Sequence, residues 1–175
     1  MARFTRRRFL RDDAGGASVE FVVVAVALFS MLLVMFETGM IMARSILIDR
    51  GLQVAVREIR LGYVETSEYD YFRDRVCEEA FLVIDCQENL LLEVTPFTTV
   101  AAYAPGQTPT CVDRSAPSTP TPGFNTGLAE NVMFVRVCLL IDPFFPGSAI
   151  AADLARDSTG ALAITASSAF MNEPD

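Results

Sequence analysis

The chain has 175 residues, 51% of them hydrophobic, and a formal net charge of −8 at pH 7. It contains no histidine, and all 14 of its basic residues are arginines, which excludes a histidine-based triad, an imidazole metal site and a catalytic lysine. Residues 1–15 carry a net charge of +3 and the remaining 160 residues carry −11. Most of the chain is therefore too acidic to bind a nucleic acid.

The first element is a short basic leader. Arginines at positions 3, 6, 7, 8 and 11 precede the pair Gly15 and Gly16, and an apolar run begins at Phe21, directly after Glu20. A secretory signal peptide has its small-residue cleavage site after the apolar region, whereas here the small residues come before it. Cleavage between Gly15 and Gly16 would leave the apolar segment in the mature chain, with Glu20 as its fifth residue.

This order resembles the leader of type IV prepilins, in which a prepilin peptidase cuts after the glycine. The resemblance implies that Glu20, followed by Phe21, pairs with the freed N-terminal amine of a neighbouring subunit as a fibre assembles. An ionised carboxylate within the bilayer costs about 2.5 kcal/mol or more, and such a pair would offset that cost. The alternative is an interfacial glutamate that lies beside the arginine cluster and faces the lipid headgroups.

The apolar run predicts one helix that spans the lipid bilayer. Sixteen uncharged residues run from Phe21 to Phe36, and they form about 24 Å of helix against a hydrocarbon core of about 30 Å. The range 21–43 is long enough to span, with Glu37 as its one charged residue. Glu37 is a possible second membrane carboxylate that pairs inside an assembly, although snorkelling near the outer interface is the favoured interpretation. The arginines place the N-terminus in the cytoplasm and the rest outside.

The long helix is expected to cover residues 16–62 and to stop at Gly62. Residues 46–59 keep apolar side chains on one broad face and charged side chains on the other. From Ala17 to Leu61 such a helix would be about 68 Å long, far more than an anchor requires. It is suited to pack in a bundle or fibre; alternatively, its outer half covers the sheet of its own domain.

Residues 63–175 are predicted to form a small α+β domain. A short helix is expected over 67–82, followed by a strand around 90–100 in which Pro96 marks an edge or a bulge. The range 104–130 is rich in proline, threonine and serine and is predicted to be one long irregular loop.

The second half of this domain contains the clearest strand. Residues 132–141 are nearly all apolar and are expected to form a central strand. A helix over 148–155 and a final strand over 162–170 follow. The predicted architecture is pilin-like: a long N-terminal helix packed against an antiparallel sheet of three or more strands.

All four cysteines, Cys77, Cys86, Cys111 and Cys138, follow the apolar segment. An even number confined to the exported part indicates disulfides formed in an oxidising compartment, here the periplasm. Three pairings are possible. We favour Cys77 with Cys86, which clips the end of the short helix, and Cys111 with Cys138, which ties the long loop to a strand. The cysteines lack the close spacing of zinc ligands, so neither a metal nor another cofactor is expected.

Residues beyond the leader carry a narrower resemblance, to the TadE-like family of the tight-adherence (Flp, Tad) pilus system. The similar stretches are Val19-Glu20-Phe21, Glu37-Thr38-Gly39, Ala43-Arg44-Ser45 and Phe170-Met171-Asn172-Glu173-Pro174. The resemblance implies a pseudopilin or minor pilin of the bacterial inner membrane, processed after Gly15 by a prepilin peptidase. The implied partners are other pilins and the inner-membrane assembly platform. The chain is too long for the major Flp pilin, which is very short.

Three other functions stay open. A type II secretion pseudopilin would share the leader but is separated by the Glu-x-Gly step and the closing residues. A membrane-tethered periplasmic binding or assembly module would remain uncut and would tolerate Gly15→Ala or Glu20→Ala. An enzyme on a stalk would depend on a pair of carboxylates. Glu78 and Glu79 are interpreted as part of a solvated face, and no catalytic residue is nominated.

Overall fold

The computed structural model describes residues 16–61, 69–97, 110–115, 123–125, 127, 130–146 and 159–171. The elements in these ranges are, in chain order, α1 (Gly16–Arg60), α2 (Tyr69–Glu79), α3 (Cys86–Asn89), β1 (Leu90–Pro96), β2 (Val132–Ile141) and β3 (Leu162–Met171). The strands form one antiparallel sheet in the order β1-β2-β3. The long apolar N-terminal helix followed by a small antiparallel sheet agrees with the predicted α+β class.

Most of the predicted elements are present with shifted ends. α2 lies inside the range expected for the short helix, β2 is the central strand, and β3 extends one residue beyond its predicted end. β1 is an edge strand that ends at Pro96, where the missing N–H of proline does no harm. The single turn α3 was not predicted, since four residues are too few to show a helical period. The predicted helix over 148–155, most of the loop over 104–130 and residues 172–174 lie outside the described residues.

The chain divides into two compact units, Met1–Phe36 and Glu37–Asp175. We call the second of these the C-terminal unit. The division falls inside α1, whereas the sequence had placed the start of the domain after Gly62. The residues of α1 from Glu37 onward therefore belong to the C-terminal unit.

The core of the C-terminal unit lies between α1, α2 and one face of the sheet. α1 contributes buried apolar side chains that recur every three or four residues, as a helix face requires. The buried residues of this face are Ile48, Leu52, Ala55, Val56 and Ile59. Alternate residues of the strands, such as Leu92 and Val137, meet them. Each large side chain that is fully buried contributes about 1.5–3 kcal/mol, so the outer half of α1 is held firmly by its own domain.

A smaller cluster covers part of the other face of the sheet. Leu91 of β1 and Leu140 of β2 are buried there beneath Val112. The neighbouring Cys111 is bonded to Cys138 of β2, and Cys77 of α2 is bonded to Cys86 of α3. Both favoured cysteine pairings are therefore confirmed. The Cys111–Cys138 disulfide holds residues of the long loop on the sheet, as expected from the sequence.

One glycine marks a close approach between two helices. A Cβ added at Gly51 of α1 would collide with the backbone carbonyl oxygen of Val76 in α2, which cannot move aside cheaply. Gly51→Ala is therefore expected to destabilise the fold by about 1–3 kcal/mol. Thermal unfolding of the full chain in detergent micelles, followed by circular dichroism, measures the change.

Gly39 of the same helix supplies the control for this substitution. Nothing lies within 4 Å of a Cβ added at Gly39. Gly39→Ala is expected to be neutral or to stabilise the helix by about 0.5–1 kcal/mol. Equal melting temperatures for the two variants would contradict the close packing of α1 on α2.

Candidate functional site

The N-terminal half of α1 presents an uninterrupted apolar surface. Apolar side chains from Val19 to Phe36 are largely exposed, and α1 is long and apolar enough to cross a membrane. None of its most apolar window is buried within the protein. A surface of this kind is stable only when lipid or another apolar helix covers it.

The predicted assembly residues lie at the start of this surface. Gly16 is the first residue of α1, and Glu20 is the fifth, in the second turn. Glu20 and Phe21 are both exposed, and no described residue bonds to the Glu20 carboxylate. Gly15, the predicted cleavage residue, lies outside the described residues. Within the described part of the chain, Glu20 is therefore available to a group from another molecule.

Glu37 occupies a different place from either position that the sequence suggested. Its side chain is only 1% exposed. The two carboxylate oxygens accept hydrogen bonds from the backbone N–H groups of Phe144 at 3.1 Å and Phe145 at 2.9 Å. Glu37 neither snorkels toward water nor presents a free carboxylate, because it binds the segment that follows β2 within the same chain.

The segment that follows β2 has few backbone N–H donors. We call residues 142–146 the β2 exit loop; its sequence is Asp-Pro-Phe-Phe-Pro. Proline has no N–H group, so Phe144 and Phe145 carry the only backbone donors between positions 143 and 146. Both donors go to Glu37. Each hydrogen bond to a charged acceptor contributes about 1.5–3 kcal/mol, so one carboxylate satisfies both of these donors and fixes the path of the loop.

Arg44 binds the same loop from the same side of α1. It follows Glu37 by seven residues, about two helical turns, and this spacing places the two side chains on one face. Its guanidinium lies 4.7 Å from the centre of the Phe144 ring, and Nη1 donates to the carbonyl oxygen of Asp142 at 3.4 Å. Among the described residues, Glu37 and Arg44 are the only charged side chains that are buried.

Arg114 holds the β2 exit loop from the opposite side. Its Nη1 donates to the Asp142 carboxylate at 2.8 Å, and its Nε donates to the side-chain carbonyl of Asn89 at 2.8 Å. The segment that carries Arg114 is fixed in turn by the Cys111–Cys138 disulfide. The loop is therefore clamped between α1 and the disulfide-bonded segment.

Arg44 belongs to one of the stretches that resemble the TadE-like family, but the sequence indicated no role for it and none for the β2 exit loop. The seven-residue spacing between Glu37 and Arg44 was a usable signal for a shared helix face. A second signal was the Pro-Phe-Phe-Pro order directly after the strongest strand. Neither signal identified the partner, because the bonded residues are more than 100 positions apart in the chain.

An acidic depression lies beside the Cys77–Cys86 disulfide. Its lining includes Glu58, Asp74, Glu78 and Arg75. Hydrogen bonds from Arg75 to Glu58 and Glu78 raise the pKa of its guanidinium, so the arginine keeps its charge. Glu79 pairs with Arg50. Within the described ranges, no group of His, Cys, Asp and Glu side chains could hold a metal ion. Glu78 and Glu79 thus serve as ion-pair partners on the surface.

The chain was compared with models of protein families, with characterised proteins and with solved structures, and none of the three comparisons finds a match.

Proposed function

We propose that this chain is a pseudopilin or minor pilin that takes part in assembling an adhesive pilus of the Tad/Flp type. The observation that carries the proposal is the order of features at the N-terminus. A basic leader ends at Gly15 and Gly16, and Glu20 then opens the exposed apolar surface of α1. A prepilin peptidase would remove the leader and keep the helix, which a signal peptidase would not.

The C-terminal unit supports the same proposal. The residues that carry the TadE-like resemblance include Glu37 and Arg44, and both bind the β2 exit loop. They have a physical role in joining a long helix to an antiparallel sheet, which is what a pilin-like subunit needs. In this proposal the N-terminus is cytoplasmic, α1 crosses the bacterial inner membrane, and the disulfide-bonded domain lies in the periplasm.

The proposed role is structural and not enzymatic. The partners are the prepilin peptidase, other pilins or minor pilins, the inner-membrane assembly platform and the lipid bilayer. Glu20 would contact the N-terminal amine of a neighbouring subunit and set the axial register of the packed helices. Such a contact compensates a carboxylate that would cost about 2.5 kcal/mol or more in the bilayer on its own.

Processing is the direct test of this proposal. In cells that contain a prepilin peptidase, the membrane-extracted protein is expected to begin at Gly16, and in cells without the enzyme it is expected to keep its leader. N-terminal sequencing and intact mass measure the difference. Gly15→Val places a branched side chain at the cut and is expected to leave the leader attached. A full-length chain in the presence of the peptidase would overturn the proposal and favour an uncut membrane-tethered module.

A second variant separates processing from assembly. Glu20→Ala is expected to be cut normally, because the leader is intact, and yet to fail in restoring surface adhesion to a strain that lacks this protein. Glu93→Ala, in β1 of the C-terminal unit, is the matched control and is expected to restore adhesion. Full adhesion with Glu20→Ala would remove the assembly role of this carboxylate.

A further inference from the structure

The β2 exit loop exposes a large apolar side chain that its own bonding holds in place. Phe144 is 47% exposed, although its backbone N–H is bound to Glu37 and its ring is in contact with Arg44. A half-exposed phenylalanine on a loop clamped from both sides cannot retract into the core without breaking these contacts. The fold therefore presents this ring at its surface as a fixed feature.

The position of the loop along α1 is set by Glu37. This residue comes directly after Phe36, the last residue of the exposed apolar run. By chain connectivity alone, the loop bonded to Glu37 lies at the level of α1 where that run ends. If the run is in the bilayer, the loop is at the bilayer surface.

Apolar exposure also continues on the other side of α1, about 7.5 Å further along the helix axis than Glu37. Met42 is more than half exposed there. At 100° per residue it lies about 140° around the helix from Glu37, away from the β2 exit loop. With Phe144 it forms what we call the apolar collar, which flanks α1 on two sides just beyond the end of the apolar run.

The charged groups next to the collar are compatible with a position at the edge of the hydrocarbon. The Glu37 carboxylate is already solvated by two backbone N–H groups, so it does not need water or headgroups. The Arg44 guanidinium is covered by the Phe144 ring, a contact that gains strength as water is removed. The bonded Glu37 carboxylate therefore does not oppose burial of the collar in the interface.

The length of the helix agrees with this placement. Glu20 precedes Glu37 by seventeen residues, a rise of about 25 Å against a hydrocarbon core of about 30 Å. With Glu37 at the outer boundary, Glu20 lies about 5 Å inside the inner boundary, within reach of the interface for a snorkelling side chain.

We propose that the apolar collar of Met42 and Phe144 is a lipid-contact surface that seats the C-terminal unit on the outer face of the bilayer. Phe144 enters the boundary between headgroups and acyl chains, and the clamped loop sets the depth of α1. The occupant of this surface is the same bilayer that holds α1. The inference rests on the proposed membrane insertion of α1, and it adds a second, loop-borne contact with lipid.

The chain contains no tryptophan, so a single introduced tryptophan reports its own environment. Phe144→Trp and Met42→Trp each place the reporter on the collar, and Met42→Trp does so without altering the loop. Phe29→Trp places it within the apolar run. Phe81→Trp is the matched control, because Phe81 is 77% exposed and follows α2, which meets α1 at Gly51. Gly51 lies about 21 Å along the helix from Glu37.

Each full-length variant is reconstituted in phosphatidylcholine vesicles that carry bromine either near the headgroups or near the bilayer centre. Bromine near the centre is expected to quench Phe29→Trp most strongly. Bromine near the headgroups is expected to quench both collar variants most strongly. The tryptophan emission of both collar variants is expected at shorter wavelengths than that of Phe81→Trp. Phe81→Trp is expected to keep its fluorescence in both kinds of vesicle.

Two results would overturn the inference, and they are distinguishable. If Phe29→Trp is quenched while Phe144→Trp behaves like Phe81→Trp, the loop does not touch lipid, although α1 is inserted and the proposed function stands. If Phe29→Trp itself escapes quenching, α1 is not in the bilayer, and the proposed function fails together with the collar.

Discussion

Removal of the Cys111–Cys138 disulfide by a double alanine substitution is expected to lower the free energy of unfolding by about 3.5 kcal/mol. The two cysteines are 27 positions apart, and opening a loop of this length restores considerable entropy to the unfolded chain. The disulfide also keeps Val112 over Leu91 and Leu140. Urea unfolding of the full chain in detergent micelles gives the change in free energy.

The second disulfide is the control for this prediction. Cys77 and Cys86 are only 9 positions apart, and their replacement by alanine is expected to cost about 2.5 kcal/mol because the loop is shorter. Non-reducing peptide mapping of the native chain first verifies both pairs. A larger loss for Cys77 and Cys86 than for Cys111 and Cys138 would show that loop length does not govern the effect.

Glu37→Ala is expected to cost about 3 kcal/mol, since it leaves the N–H donors of Phe144 and Phe145 in the β2 exit loop without their charged acceptor. The same unfolding experiment measures the loss. Hydrogen exchange gives a local readout: the amides of Phe144 and Phe145 are expected to be protected in the native chain and to exchange faster in the variant. Glu37→Gln retains one carbonyl oxygen and is expected to fall between the native chain and the alanine variant.

Glu20→Ala is the matched control, because it removes the same side chain from the same helix at an exposed position with no bonded partner among the described residues. Its stability in micelles is expected to match that of the native chain. If Glu37→Ala were as stable as Glu20→Ala and the two amides stayed protected, the carboxylate would not be what holds the loop.

The local patterns of the sequence predicted much of the fold. Residues 132–141 are almost entirely apolar, which is typical of a strand with neighbours on both sides, and β2 is central. The alternation over residues 162–170 matched β3, where buried and exposed side chains alternate at the start of the strand. The favoured cysteine pairs were also right, because each joined neighbouring elements that the patterns had already outlined.

The boundary of the C-terminal unit could not be predicted from local sequence patterns. A helical period shows that one face of α1 is apolar, but lipid, a second helix and a sheet all accept such a face. The sequence therefore left a fibre-packing role and a sheet-covering role open for the outer half of α1. In the structure Ile48, Leu52 and Ile59 are buried in one cluster with residues of the sheet, so the outer half of α1 covers its own sheet, and the unit begins at Glu37.

The basic leader, the glycine pair, Glu20 and the length of the apolar run are all properties of neighbouring residues, so the residue order alone established them. The role of Glu37 is of another kind. Its carboxylate meets donors 107 and 108 positions further along the chain, and no periodicity or spacing records such a contact. That contact exists because packing of α1 on the sheet brings the end of β2 against the helix. Only the folded chain could reveal that this glutamate binds its own loop.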